Sequence, residues 1–172
     1  KQSVFLFLSA CLFCSTELSA KPHVVSVYLT KLTAHNVINE DPSRFYFSIS
    51  VFPSNSSASE LRVPEYPLHW LAADLPHLKN CKLWQGTVED NSSVTVVLSL
   101  MDQKIPLLEI DDLFGVIQVE IDNTNGKIIS YWCKSSDLAP TLVEQPNTKR
   151  PRFIMYGGDH PYVVEFKVKV TK

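Results

Sequence analysis

The sequence predicts an all-β protein, an antiparallel sandwich of about eight strands with one short helix, and three observations carry that expectation. Apolar residues recur at every second position, as in Phe45-Tyr46-Phe47-Ser48-Ile49-Ser50-Val51, which is the spacing of a strand with one face buried. Turn-forming clusters divide such runs at intervals typical of a sandwich or barrel. Helix has one candidate, Pro67 to Leu75, with Pro67 at a permitted first position and Pro76 as the stop.

Composition agrees with a folded domain. The chain has 172 residues, 45% hydrophobic and 20% charged, with a formal net charge of −2. That charge gives no field over the whole surface that would recruit nucleic acid, so nucleic acid is not an expected partner.

In chain order, Val25–Thr30 alternates, and the run from Phe45 to Val51 ends at Pro53 and a small polar loop, Ser54 to Ser59. Leu61–Val63 is a short strand. Lys82–Val88 and Ser93–Leu100 flank Glu89-Asp90-Asn91-Ser92, which reads as a hairpin turn. Val116–Ile121 puts Ile117, Val119 and Ile121 on one face, and Asn123-Thr124-Asn125-Gly126 turns the chain into Lys127–Cys133. Lys134 to Pro151 reads as a long polar connection. In Tyr162–Val170 the residues Val164, Phe166, Val168 and Val170 face in, while Glu165, Lys167 and Lys169 face water and discourage pairing at an exposed sheet edge. Trp70, Trp84 and Trp132 lie in apolar patterned segments and are expected in the core.

The first 20 residues read as a signal peptide: Lys1, an uncharged apolar run from Val4 to Phe13, and Ala20 as the small residue before cleavage. The run is short of the roughly 20 apolar residues that cross a bilayer. A lipoprotein box, Leu8-Ser9-Ala10-Cys11, is the less favoured alternative, because the sequence stays apolar past Cys11. Either way the expected location is secreted or periplasmic, with residues 21–172 as a single domain. Export leaves Cys81 and Cys133, for which an oxidising compartment favours a disulfide closing a loop of about 50 residues, worth roughly 4 kcal/mol. Two free thiols are the alternative reading.

Function is less legible. No Gly-x-Ser-x-Gly, His-Glu-x-x-His or phosphate-cradling glycine loop is present, so an enzyme is not the favoured reading. Asp159-His160 beside Gly157-Gly158 is the best catalytic hint, and ordinary turn chemistry explains it. Lys149-Arg150-Pro151-Arg152 is a basic cluster suited to an anionic group, with Phe153 and Tyr156 following. Asn55-Ser56-Ser57 and Asn91-Ser92-Ser93 fit the glycosylation sequon.

The stretch from Asp102 to Gly115, entered from an apolar strand and left into Val116–Val119, resembles the third top loop of a C2 domain, with Asp111-Asp112-Leu113-Phe114-Gly115 similar to the run that begins the family's next strand. Asp41-Pro42 before the strand from Phe45 is similar to the family's first loop. The resemblance implies a loop-built binding surface and weak calcium candidates in Asp41, Asp102, Asp111 and Asp112. Lys104 departs from it, standing where the family has a second Asp, and an ammonium there repels Ca²⁺. No cofactor is therefore expected, with calcium as the minor possibility. The expected function is a non-catalytic C2-like module that binds a protein or membrane surface through Asp41, Asp102, Lys104, Asp111, Asp112, Lys149, Arg150 and Arg152. An exported enzyme with a loop-built site, or a carrier of an apolar ligand between the sheets, are the alternatives.

Overall fold

Eleven strands are present among the described residues, and the alternating pattern accounts for most of them. The computed structural model of the chain describes residues 22–34, 43–104, 109–134, 141–145, 149–157 and 160–171. The signal-peptide expectation, with Cys11 and Ala20, lies outside them. The strands are β1 (His23–Ala34), β2 (Arg44–Pro53), β3 (Ser59–Val63), β4 (Trp70–Leu71), β5 (Cys81–Val88), β6 (Ser92–Asp102), β7 (Asp112–Thr124), β8 (Lys127–Lys134), β9 (Thr141–Gln145), β10 (Arg152–Gly157) and β11 (His160–Thr171).

They form two antiparallel sheets packed as a sandwich. The first has the order β5-β1-β11-β10-β9, and the second β3-β2-β6-β7-β8 with β4 paired to the start of β2. Val25, Val27, Leu29, Val164 and Phe166 of the first sheet meet Phe47, Ile49, Leu98, Ile117, Val119 and Ile121 of the second, all buried. Aromatic rings fill the middle: Trp132 stacks on Phe166 at 5.3 Å, and Phe47 and Phe153 each pack against Phe166 at 6.0 Å. Trp84 and Trp132 are buried, and Trp70 packs against Phe47.

Local chemistry explains the turns. Asn125 and Gly126 form the two-residue connection of the β7–β8 hairpin, with Thr124 opposite Lys127. Both have positive φ, 54° and 70°, as the turn matching strand twist requires. The turn at Glu89–Ser92 is not the expected hairpin, because β5 pairs with β1 in the first sheet and β6 with β2 and β7 in the second. It is a corner between sheets, held by buried Asn123, whose Nδ2 donates to the carbonyls of Val88 and Glu89 at 3.1 and 3.0 Å.

Two further expectations are corrected. The segment Pro67–Leu75 is not a helix. Its Trp70 and Leu71 pair with Phe45 and Arg44, the Leu71 N–H donates to the Asp74 carboxylate at 2.8 Å, and only Leu75–His77 makes a 3-10 turn. Sheet pairing and burial of Leu75 outweigh the weak helical propensity of a two-turn segment. The connection from Lys134 to Pro151 contains β9, a short polar strand without a readable pattern. In β11 only the part up to Glu165 lies between β1 and β10; Lys167 and Lys169 beyond it pair with β1 alone among the described residues, so this stretch has the open edge that they were expected to guard.

The expected bridge is also absent: Cys81 and Cys133 are free thiols. Cys81 begins β5, the outermost strand of the first sheet, whereas β8 is outermost in the second sheet and lies against β9 at the first sheet's other side. With Trp132 turned into the core, the exposed Cys133 points away from it. Burial pushes both thiols up from their ordinary pKa, with Glu120 adding to the effect at Cys133. Among the described residues no helix is long and apolar enough to cross a membrane.

One contact brings the sheets together at the end where β2, β7 and β11 begin. The register of β7 against β6 slips between Leu113 and Gly115, so Phe114 is the extra residue of a bulge and turns inward. Its ring stacks on Tyr162 at 5.1 Å and meets the edge of Phe45 at 5.8 Å. A Cβ on Gly157 would lie 2.7 Å from the Phe114 ring, and one on Gly115 would lie 2.5 Å from Met155 Cγ. Gly157→Ala is expected to destabilise the fold by about 1–3 kcal/mol, the usual cost of overpacking. The measurement is urea unfolding, read as a lower midpoint at unchanged slope.

Candidate functional site

The end of the second sheet gathers four of the eight polar side chains that the sequence marks. Asp102 ends β6, Lys104 follows it, and Asp111 and Asp112 lead into β7. Asp102 is buried, yet its carboxylate is satisfied twice: Oδ1 accepts the Arg44 N–H at 2.7 Å and Oδ2 accepts from Lys104 Nζ at 2.7 Å. The same ammonium reaches Asp112 Oδ2 at 3.1 Å. Bonds to Asp102 and Asp112 hold the Lys104 ammonium well above the ordinary lysine range, against a smaller opposing effect of desolvation. The Lys104 N–H donates to Asp111 Oδ1 at 2.9 Å, so Asp111 ties the two sides of the loop together.

Asp111 makes a second bond that the sequence did not announce. Its Oδ2 accepts from the Tyr46 hydroxyl at 2.6 Å. Tyr46 stands between Phe45 and Phe47, both buried in the core, and so projects from the opposite face of the sheet. There the Arg62 guanidinium lies 3.8 Å from the centre of the Tyr46 ring and 5.4 Å from that of Tyr66. Arg62 Nη2 donates to the Leu68 carbonyl at 3.0 Å and to Gln103 Oε1. Arg62 thus fastens the segment after β3 to the segment after β6. The signal for Tyr46 was available, since it occupies the outward phase of an alternating strand. Arg62 and Gln103 carried none.

Around this network stand apolar side chains that the fold leaves uncovered. Ile110 is 91% exposed, Tyr66 65%, Leu68 63% and Leu113 42%. Leu113 pairs with Met101, which pairs with Tyr46, so Leu113 and Tyr46 share the outer face.

Other predicted residues fall elsewhere. Asp41 and Asp159 lie outside the described residues. Lys149 and Arg150 are exposed, and Arg152 begins β10 opposite Glu165 in the first sheet, so this cluster does not join the acidic loop. The described histidines are dispersed: His23 Nε2 donates to the Gly126 carbonyl at 3.1 Å, His69 and His77 lie around the 3-10 turn, and His160 begins β11 exposed. Among the described residues no group of three His, Cys, Asp or Glu side chains is placed as metal ligands would be. Asn55 and Asn91, the sequon residues, are exposed at the opposite end of the sandwich. A surface cleft of about 370 Å³ lies there, lined by Trp84, Gly86 and polar residues such as Ser54 and Ser93.

Comparison with protein-family models and with curated proteins finds no match to this chain.

The Tyr46–Asp111 bond has a pH signature. Burial first, and then the hydrogen bond to Asp111, push the Tyr46 hydroxyl from its usual 10.0 up to about 12. A raised pKa in the folded state contributes stability that is fully present below pH 10 and is lost as pH rises towards 12. Tyr46→Phe is expected to remove the tyrosine component of that alkaline loss. The measurement is ΔG of unfolding against pH from 9 to 12 for both proteins.

Proposed function

We propose that the protein is a non-catalytic, C2-like binding module, secreted or periplasmic, that meets a protein partner through the loop end of its second sheet. One observation carries the reading: exposed apolar side chains surround a charge network that is already neutralised. Tyr66, Leu68, Ile110 and Leu113 stand in the open, and the Arg62 and Lys104 beside them are engaged by ring faces, carbonyls and carboxylates. Interfaces favour such a composition, with aromatic residues and a fixed arginine at the centre and few free charges. An anionic membrane would call instead for unpaired cations among the apolar residues.

Calcium has no place in this reading. Lys104 Nζ holds Asp102 and Asp112, and Asp111 is used by Tyr46 and the Lys104 N–H. A cation there would displace an ammonium from two carboxylates and break two hydrogen bonds. Support for a catalytic reading is weak, since His160 is exposed and no partner completes it among the described residues. A carrier reading has little support either, because rings such as Phe47, Trp132 and Phe166 occupy the space between the sheets.

A photo-crosslinking residue in place of Ile110, exposed to extract from the native source, is expected to give a discrete protein adduct. The adduct persists in chelator and is lost when Tyr66→Ala and Leu113→Ser are added. Equal labelling from exposed Lys127, at the opposite end, would contradict the reading. So would heat or a melting shift on addition of roughly millimolar Ca²⁺, the range of weak extracellular calcium sites, and either would make the loop end a calcium-dependent dock.

A further inference from the structure

The outer face of the first sheet carries a second arrangement, independent of the loop end. Tyr28 on β1 is directly opposite Lys82 of β5 on one side and Lys167 of β11 on the other. The next outward position pairs Ser26 with Gln85 and with Lys169. Cross-strand partners share a face, so Tyr28 stands in a row between two lysines, with Lys169 one step along. Tyr28, Lys167, Lys169 and Asn80 line an open groove of about 310 Å³. Asn80 adopts positive φ, 53°, just before β5 begins.

Three features set this face apart from an ordinary solvated one. Lys82, Lys167 and Lys169 are exposed, and no carboxylate pairs with any of them among the described residues. Lys82 is steadied by a bond from Nζ to Gln85 Oε1 at 3.0 Å. The Phe166 N–H donates to the Pro151 carbonyl at 3.2 Å where the chain enters β10 alongside β11, and Lys149 and Arg150 are exposed just before that point. The basic cluster of the sequence therefore belongs to the first sheet and not to the acidic loop. Glu165 is the described carboxylate on this face, two residues before Lys167 and opposite Arg152.

We propose that this groove binds an anionic polysaccharide, with a sugar ring laid on Tyr28, a hydroxyl bonded by the Asn80 amide, and sulfate or carboxylate groups met by Lys167, Lys169 and Lys82. Charge complementarity selects an anion, and the combination of one ring face, one amide and spaced ammonium groups selects a sugar unit bearing its charges at intervals. Lysines two apart on a strand are about 6.7 Å apart along its axis, and those on the two strands flanking β1 about 9.6 Å across it. A single phosphate would engage one of these ammonium groups. A chain of charged sugars would engage several.

The test uses the whole chain and size-defined heparin oligosaccharides in calorimetry at about 0.1 M salt, where exposed charges still act over roughly 10 Å. Binding is expected, weakening as salt rises. Lys167→Gln with Lys169→Gln is expected to lower affinity roughly tenfold or more, as loss of two surface cations predicts. Tyr28→Leu is expected to weaken binding at all salt concentrations without changing its salt dependence. Lys127→Gln, exposed at the turn between β7 and β8 of the second sheet, is expected to change nothing, and unaltered melting of the lysine variant shows that its fold is intact. Absence of binding, or binding unaffected by the lysine and tyrosine substitutions, would overturn the proposal. Equal affinity for polyphosphate, single-stranded DNA or phosphatidylserine vesicles would overturn the sugar assignment.

Discussion

The bulge at Phe114 is the constraint on which the loop end depends. By giving β7 one extra residue against β6, it turns Phe114 from the outer face into the core, against Tyr162 and Phe45. That position is open only because Gly157 and Gly115 lack side chains, and the ring of Phe114 and the chain of Met155 occupy the space instead. The two sheets are thereby locked where β7 begins. Asp111 and Asp112 stand immediately before the locked residues, within reach of Tyr46, Lys104 and, through Lys104, Asp102. A hydrophobic contact between sheets thus sets the geometry of a polar network on the surface.

The two faces of the sandwich use charge in opposite ways. At the loop end every described cation of the network is engaged, and what remains exposed is apolar surface around a fixed arginine. On the outer face of the first sheet no carboxylate pairs with Lys82, Lys167 or Lys169 among the described residues, and Tyr28 is the aromatic surface among them. Among the described residues no hydrogen bond or ion pair links the two groups.

Legibility followed the physics of each element. Alternation fixes which residues of β2, β6, β7 and β11 are buried, and Asn125-Gly126 announced its hairpin because those residues tolerate positive φ. Alternation cannot tell an edge strand from an interior one: β11 is interior as far as Glu165 and open on one side beyond it, where Lys167 and Lys169 stand. Nor does a four-residue turn reveal that β5 and β6 leave for different sheets. That is set by Asn123, over thirty residues away in sequence from the carbonyls it holds. The acidic loop was legible from its Asp residues and from Lys104, which the structure pairs. Arg62 was not, because a cation stacked on a ring depends on neighbouring strands whose order no local pattern encodes.

The central claim is that side chains of this protein, and no metal ion, order the loop end. It is tested most directly by hydrogen exchange at two backbone amides, Lys104 N–H, bonded to Asp111, and Arg44 N–H, bonded to Asp102. The account predicts slow exchange at both in chelator and the same rates when calcium is added. Rapid exchange in chelator, slowed only by calcium, would contradict it.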